Sequence, residues 1–191
     1  MKPSAVILAA GSGARMGADK LLVPVGGAPM LARAIAPYLA CEALAEVVVV
    51  VRPGFRRPEV SGAPKWVENP LHAEGMASSL RLGVAAVAPD AEGFVLGLGD
   101  LPFLRAETVA AAVEAWRAAG RGILVATAGE RRGHPVLLGA RFRSELLAAQ
   151  GDVGAREVLR AHPESVTFWE CGDPGVADDV DTAADLPRGS R

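Results

Sequence analysis

The sequence predicts an α/β fold, a single-domain three-layer αβα sandwich on a mostly parallel sheet. Apolar runs of strand length alternate with segments of helical spacing from one end of the chain to the other, and continuous aliphatic strands mark a parallel sheet covered on both faces. A glycine-rich loop directly follows the first of these runs, at the place where open parallel sheets bind ligands. At 191 residues with 50% apolar composition, the chain can bury one substantial core.

Residues 5–10 form the first expected strand, because an aliphatic run ends there at glycine. Residues 30–40 have Leu31, Ile35 and Leu39 on one face of a helix, with Pro37 set to shorten or bend it. The valine run 47–51 is a second buried strand, and the proline- and glycine-rich stretch 52–64 is a loop. Residues 65–68 form a short strand, and 77–87 a helix that turns Leu80, Val84 and Val87 inward. Then come a strand at 94–98, a helix at 107–118 and a strand at 123–127. Strands at 134–138 and 166–170 bracket helices at 143–149 and 156–161. No internal repeat or interdomain linker divides residues 1–191.

Composition excludes several classes of function. The net charge is -2, and no basic stripe is interleaved with aromatics, so no nucleic-acid partner is expected. The three arginines between 52 and 57 sit among prolines and read as a solvated loop. Cys41 and Cys171 are far apart and lack a metal-binding spacing, which excludes a disulfide framework and a structural zinc site. The apolar run near the start is too short for a secretion signal, and no run is long enough to span a membrane. A cytoplasmic protein is the expectation.

The loop from Leu8 to Lys20 carries the chemistry. Small residues at Ala9, Ala10, Gly11 and Gly13 let backbone N–H groups approach phosphate oxygens, and Arg15 and Lys20 add two cations. It is not a Walker loop, because Lys20 follows Asp19 and precedes Leu21. It is not a dinucleotide fingerprint, because Met16 stands where the third glycine belongs and Arg52 and Pro53 follow the second strand.

Leu-Ala-Ala-Gly-Ser-Gly-x-Arg-Met-Gly-x-x-Lys-Leu-Leu resembles the pyrophosphorylase-type loop of nucleotidyltransferases with a Rossmann-like, glycosyltransferase-A-like fold. It is most similar to that of the molybdenum cofactor cytidylyltransferases. Ala9-Ala10-Gly11 and Lys20-Leu21-Leu22 lean toward cytidine, whereas Asp19 resembles the pattern of the guanylyl relatives. The resemblance implies that Leu8, Ala9, Ala10, Gly11, Ser12 and Gly13 line the nucleotide. It implies that Arg15 and Lys20 act on its phosphates, and that the C-terminal part of the domain receives the acceptor.

Other segments match the same family. Gly99-Asp100-Leu101-Pro102 places one acid after a buried strand, where it could hold Mg²⁺ or cap the next helix; the resemblance favours the metal. In Asp178-Asp-Val-Asp-Thr182, Asp181 is either a second magnesium ligand, as the resemblance implies, or part of a helix cap. The segment from Glu68 to Leu80 resembles the one that meets base and ribose, with Asn69 and either Ser78 or Ser79 as contacts; a serine there could also cap the helix. Gly133-His134-Pro135 and Gly151-Asp-Val-Gly-Ala-Arg156 resemble acceptor-side motifs. There His134 is an acceptor contact or a packed imidazole, and Arg156 a phosphate fork or a surface charge.

The expected activity is transfer of CMP from CTP to the phosphate of a molybdopterin-type acceptor, with Mg²⁺ as cofactor and pyrophosphate released. A molybdenum enzyme would then receive the product. The alternatives are a GTP-using guanylyltransferase, a cytidylyltransferase for another phosphorylated metabolite, or a non-catalytic nucleotide-binding delivery protein.

Overall fold

The computed structural model describes residues 1–11, 19–152 and 154–180. In chain order its strands are β1 (Ser4–Ala9), β2 (Pro24–Val25), β3 (Ala28–Pro29), β4 (Val47–Val51), β5 (Lys65–Glu68), β6 (Gly93–Leu98), β7 (Ile123–Ala128), β8 (Arg131–Gly139) and β9 (Val166–Glu170). Its α-helices are α1 (Met30–Leu39), α2 (Met76–Ala86), α3 (Ala106–Ala118), α4 (Arg143–Ala148) and α5 (Arg156–Ala161). Seven strands make one sheet in the order β5-β4-β1-β6-β8-β7-β9. β2 and β3 make a separate small hairpin across Gly26 and Gly27.

Alternation along the central strands sorts their side chains onto two covered faces. Ala5, Ile7 and Ala9 of β1 and Val47, Val49 and Val51 of β4 pack with Leu31, Ile35, Val109 and Trp116 from α1 and α3. Val6, Val48 and Val50 pack on the opposite face with Leu80, Val84, Leu146 and Val158 from α2, α4 and α5. All five valines of β4 are buried, which is why this strand reads as an unbroken apolar run. Pro37 does not end α1, which continues to Leu39; the missing N–H lies so near the C-terminus that little of the helix follows it.

β1 pairs in parallel with β4 and β6, β4 with β5, and β7 with β9. β8 runs antiparallel between β6 and β7. Its strand begins three residues before the expected 134, so only Gly129 and Glu130 separate it from β7. Gly129 has φ +60°, the positive value that two-residue hairpin turns need at their first central position.

After β9 the chain crosses the carboxyl ends of the strands as a strap of residues 171–180. Val180 at its end is fully buried, and its N–H donates to the carbonyl of Asp100 at 3.1 Å. The crossing leaves no room for side chains beneath it. A Cβ on Gly133 would lie 2.0 Å from the Val176 carbonyl oxygen, and one on Gly175 would lie 2.3 Å from that of Phe103. Among the described residues no helix is long and apolar enough to cross a membrane.

Because the obstacle at Gly133 is backbone, it cannot rotate away. Gly133→Ala is expected to lower stability by about 1–3 kcal/mol, the usual range for overpacking, read as a shifted urea midpoint. An unchanged midpoint would contradict this packing of the strap.

Candidate active site

The site forms where β1 and β6 end side by side. Gly99 extends their pairing past β6, donating its N–H to the Leu8 carbonyl at 3.0 Å. A Cβ on Gly99 would stand 2.9 Å from Ala9 Cβ and 3.0 Å from Leu31 Cδ1, so the convergence requires small residues on both strands. Leu8 is half-buried, Ala9 and Ala10 are buried, and Gly11 is exposed at the mouth. Ser12, Gly13 and Arg15 lie outside the described residues.

The chain re-enters the description at Asp19, whose carboxylate accepts from the Arg52 guanidinium at the end of β4. Arg52 also lies over the Phe55 ring, 5.4 Å from its centroid. The Asp19 carbonyl accepts the Leu22 N–H at 2.8 Å, closing a short 3₁₀ turn over Lys20–Leu22. This turn carries Lys20, itself only 9% exposed, to Asp100, with Nζ 3.1 Å from Oδ2. Arg52, read from sequence as a solvated loop residue, thus braces the loop's return. The signal available was its position directly after a buried strand.

Asp100 does not cap the next helix. α3 starts at Ala106, and the N–H of its N-cap residue Arg105 is taken by Asp173, at 3.0 Å. Asp173 Oδ2 also accepts from Thr108 Oγ1 at 2.6 Å, and Oδ1 accepts from the Gly175 N–H at 3.0 Å. Burial alone would raise the Asp173 pKa. The bonds from Thr108, Arg105 and Gly175, with the Arg105 charge, hold it below the ordinary carboxylate range. This buried acid is the strap's anchor, and sequence reasoning passed over it because an irregular segment has no periodicity to announce it.

Asp100 is thereby free of structural duty in α3, and its side chain remains 29% exposed at the carboxyl edge of the sheet. Its donor chemistry suits Mg²⁺, which uses one or two carboxylates and completes its shell with phosphate and water. Lys20 engages Oδ2. Among the described residues no group of three or more His, Cys, Asp or Glu side chains could hold a metal, so an all-protein cage is absent there. Asp181, the other expected ligand, lies outside the described residues; it follows Val180, which is bonded to Asp100.

Asn69, Ser78 and Ser79 come together, buried. Both Asn69 Nδ2 hydrogens are used, one to each serine Oγ at 2.9 Å, and Oδ1 accepts the Leu71 N–H at 2.9 Å. The carboxamide therefore retains one acceptor lone pair and no donor. Neither serine is an N-cap: Gly75 holds that position, and Ser78 Oγ donates back to the Gly75 carbonyl. The trio fixes the loop between β5 and α2.

His134 lies within electrostatic reach of both Asp100 and Arg156. Arg156 is exposed at the first position of α5 and makes no hydrogen bond or ion pair among the described residues. His134 keeps some of its surface at the solvent boundary. Its pKa is nonetheless pushed down to about 4, first by burial, against the pull of Asp100 and with the push of Arg156. The imidazole is neutral at pH 7. Because the folded protein resists a proton that the unfolded chain accepts near pH 6.5, the stability held here is complete above that pH. It is lost as pH falls from about 6.5 toward 4. Imidazole NMR of the metal-free protein should show one histidine titrating near pH 4, absent in His134→Gln. A His134 midpoint above 6 would contradict this environment.

The chain matches the MobA-like NTP transferase domain over residues 5–166. It is 37% identical over 158 residues to the bifunctional protein GlmU of Rhizorhabdus wittichii, covering 80% of this chain and 32% of that one. The chain spans about a quarter to a third of the length of the curated relatives it matches. The crystal structure of Rv0371c from Mycobacterium tuberculosis H37Rv superposes with a TM-score of 0.81 at 26% identity, over 97% of this chain and 96% of that one. A manganese complex of the same protein has a TM-score of 0.75 at 23% identity, over the same shares. The 2-C-methyl-D-erythritol 4-phosphate cytidylyltransferase of Thermus thermophilus shares the fold, with a TM-score of 0.72 at 20% identity over 97% and 96% of the two chains. Matched over residues 5–166, most of its length, the chain belongs to the family of MobA-like NTP transferase domains.

Proposed function

We propose that this protein transfers CMP from CTP to the phosphate of a molybdopterin-type acceptor, releasing pyrophosphate. The observation that carries the reading is the Lys20–Asp100 pair, held at 3.1 Å at the carboxyl edge of the sheet. An acceptor phosphate oxygen attacks the α-phosphorus in line, and the bond to the β-phosphate oxygen breaks as pyrophosphate leaves. Such a step needs positioning and charge more than a strong base.

The backbone of residues 8–13 and Arg15 would fix the triphosphate, and Lys20 would meet the charge that grows on the α-phosphoryl group and on the leaving pyrophosphate. Asp100, with Asp181, would hold Mg²⁺, which neutralises phosphate oxygens when bound. Asn69, Ser78 and Ser79 would build the wall that faces base and ribose, with the last Asn69 lone pair as the available contact. Neutral His134 and the Arg156 fork would receive the acceptor's phosphate. Cytidine is favoured by Ala9-Ala10-Gly11 and Lys20-Leu21-Leu22. Asp19, the feature shared with the guanylyl pattern, is paired with Arg52, which accounts for it without a base. A cytoplasmic setting and a molybdenum enzyme as recipient complete the proposal.

Lys20→Ala and Asp100→Ala should each lower turnover by about 10²-fold or more, on the scale of losing a preorganised charge at a transition state. Pyrophosphate release is to be measured with CTP, GTP, ATP and UTP against molybdenum-loaded molybdopterin. CTP should dominate. Preference for GTP would convert the reading to a guanylyltransferase, and tight CTP binding without release on any acceptor would make it a delivery protein.

A further inference from the structure

The segment that leads to Arg156 is bolted to the helix that carries Ser78 and Ser79. Two of the N–H groups that open α2 find no partner in their own helix and are taken by a distant segment: Met76 N–H by Asp152 Oδ1 at 3.0 Å, 76 residues away, and Ala77 N–H by the Gly151 carbonyl at 3.0 Å. One turn on, Arg81 Nη1 donates to the Ala149 carbonyl at 2.6 Å. The two segments are closely packed. A Cβ on Gly75, where φ is +105°, would stand 2.8 Å from the Gly151 oxygen, and one on Gly154, where φ is +53°, would stand 3.0 Å from Met76 Sδ. Among these contacts Asp152 supplies the side chain from the acceptor segment, and it is exposed.

We propose that Asp152 is a positioning residue that registers Arg156 against the nucleotide wall by capping α2. This rests on the reading of Arg156 as the acceptor's phosphate fork. From Arg156 the chain enters α5, while α2 holds the serines that fix Asn69. Asp152 therefore joins the two substrate halves through one charge-assisted bond to a helix N-terminus. Its loss lets the segment drift without unfolding the core, because the residue is exposed and the α2 core face, Leu80 and Val84, is untouched.

The test is calorimetric titration with metal-free molybdopterin, a phosphate monoester, of the wild type, Asp152→Ala, Asp152→Asn, Arg156→Ala and the Asp152→Ala/Arg156→Ala double variant. CTP affinity is measured alongside. Asp152→Ala and Arg156→Ala should each weaken molybdopterin about tenfold, the double variant no more than the worse single, and Asp152→Asn should recover most of the loss by keeping the acceptor oxygen. CTP affinity should stay within about twofold throughout. Unchanged binding in Asp152→Ala while Arg156→Ala weakens it, or additive losses in the double variant, overturns the positioning role of Asp152. Unchanged binding in Arg156→Ala overturns the acceptor reading itself.

Discussion

Burying an ammonium group costs several kcal/mol unless a counter-charge meets it, and Lys20, nine-tenths buried at the carboxyl edge of the sheet, meets Asp100. Much of the upper half of the molecule serves that meeting. Ala9 and Gly99 bring β1 and β6 together so closely that a Cβ on Gly99 would collide with Ala9. Arg52 grips Asp19, the residue before Lys20. The strap anchored by Asp173 ends with Val180 bonded to the Asp100 backbone. Under the proposed function, a pair of opposite charges assembled this way would serve both parts of a metal-bound triphosphate: the cation for phosphate oxygens, the carboxylate for the metal.

The parallel sheet explains why these groups sit at one edge. β4, β1 and β6 all point their carboxyl ends the same way, so Arg52, the glycine loop and Asp100 emerge together. β8 departs from that direction and thereby contributes in a different manner. As it runs opposite to β6, its amino end, not its carboxyl end, reaches the site, and that end carries His134. In the proposed function the acceptor side is thus drawn from an antiparallel strand and α5, and the nucleotide side from parallel strands.

The layered fold was legible because apolar runs such as 47–51 and 94–98 are of strand length and alternate with segments of helical spacing, which marks them as strands buried on both faces. The direction of β8 was legible in principle. The gap between the expected strands at 127 and 134 is too short for a parallel crossover, which takes a dozen residues or more. Lys20 and Asp100 were readable from loop spacing and a strand-terminal acid, and the structure brings them together. Asp173 and the capping by Asp152 were not readable, since each joins segments over 60 residues apart through loops without periodicity. Asn69 shows a related limit: its identity suggested a base contact, yet most of its hydrogen-bonding capacity is spent on Ser78, Ser79 and Leu71.

If Asp100 is the carboxylate that completes a metal-bound triphosphate, a metal should bind tightly only when nucleotide and Asp100 are both present. Paramagnetic resonance of Mn²⁺ titrated into the protein with and without CTP measures this directly, free of any acceptor. The wild type should hold Mn²⁺ at least about tenfold more tightly with CTP present, and Asp100→Asn, which keeps the shape and removes the charge, should lose that gain. Equal Mn²⁺ affinity in wild type and Asp100→Asn at saturating CTP would contradict the account.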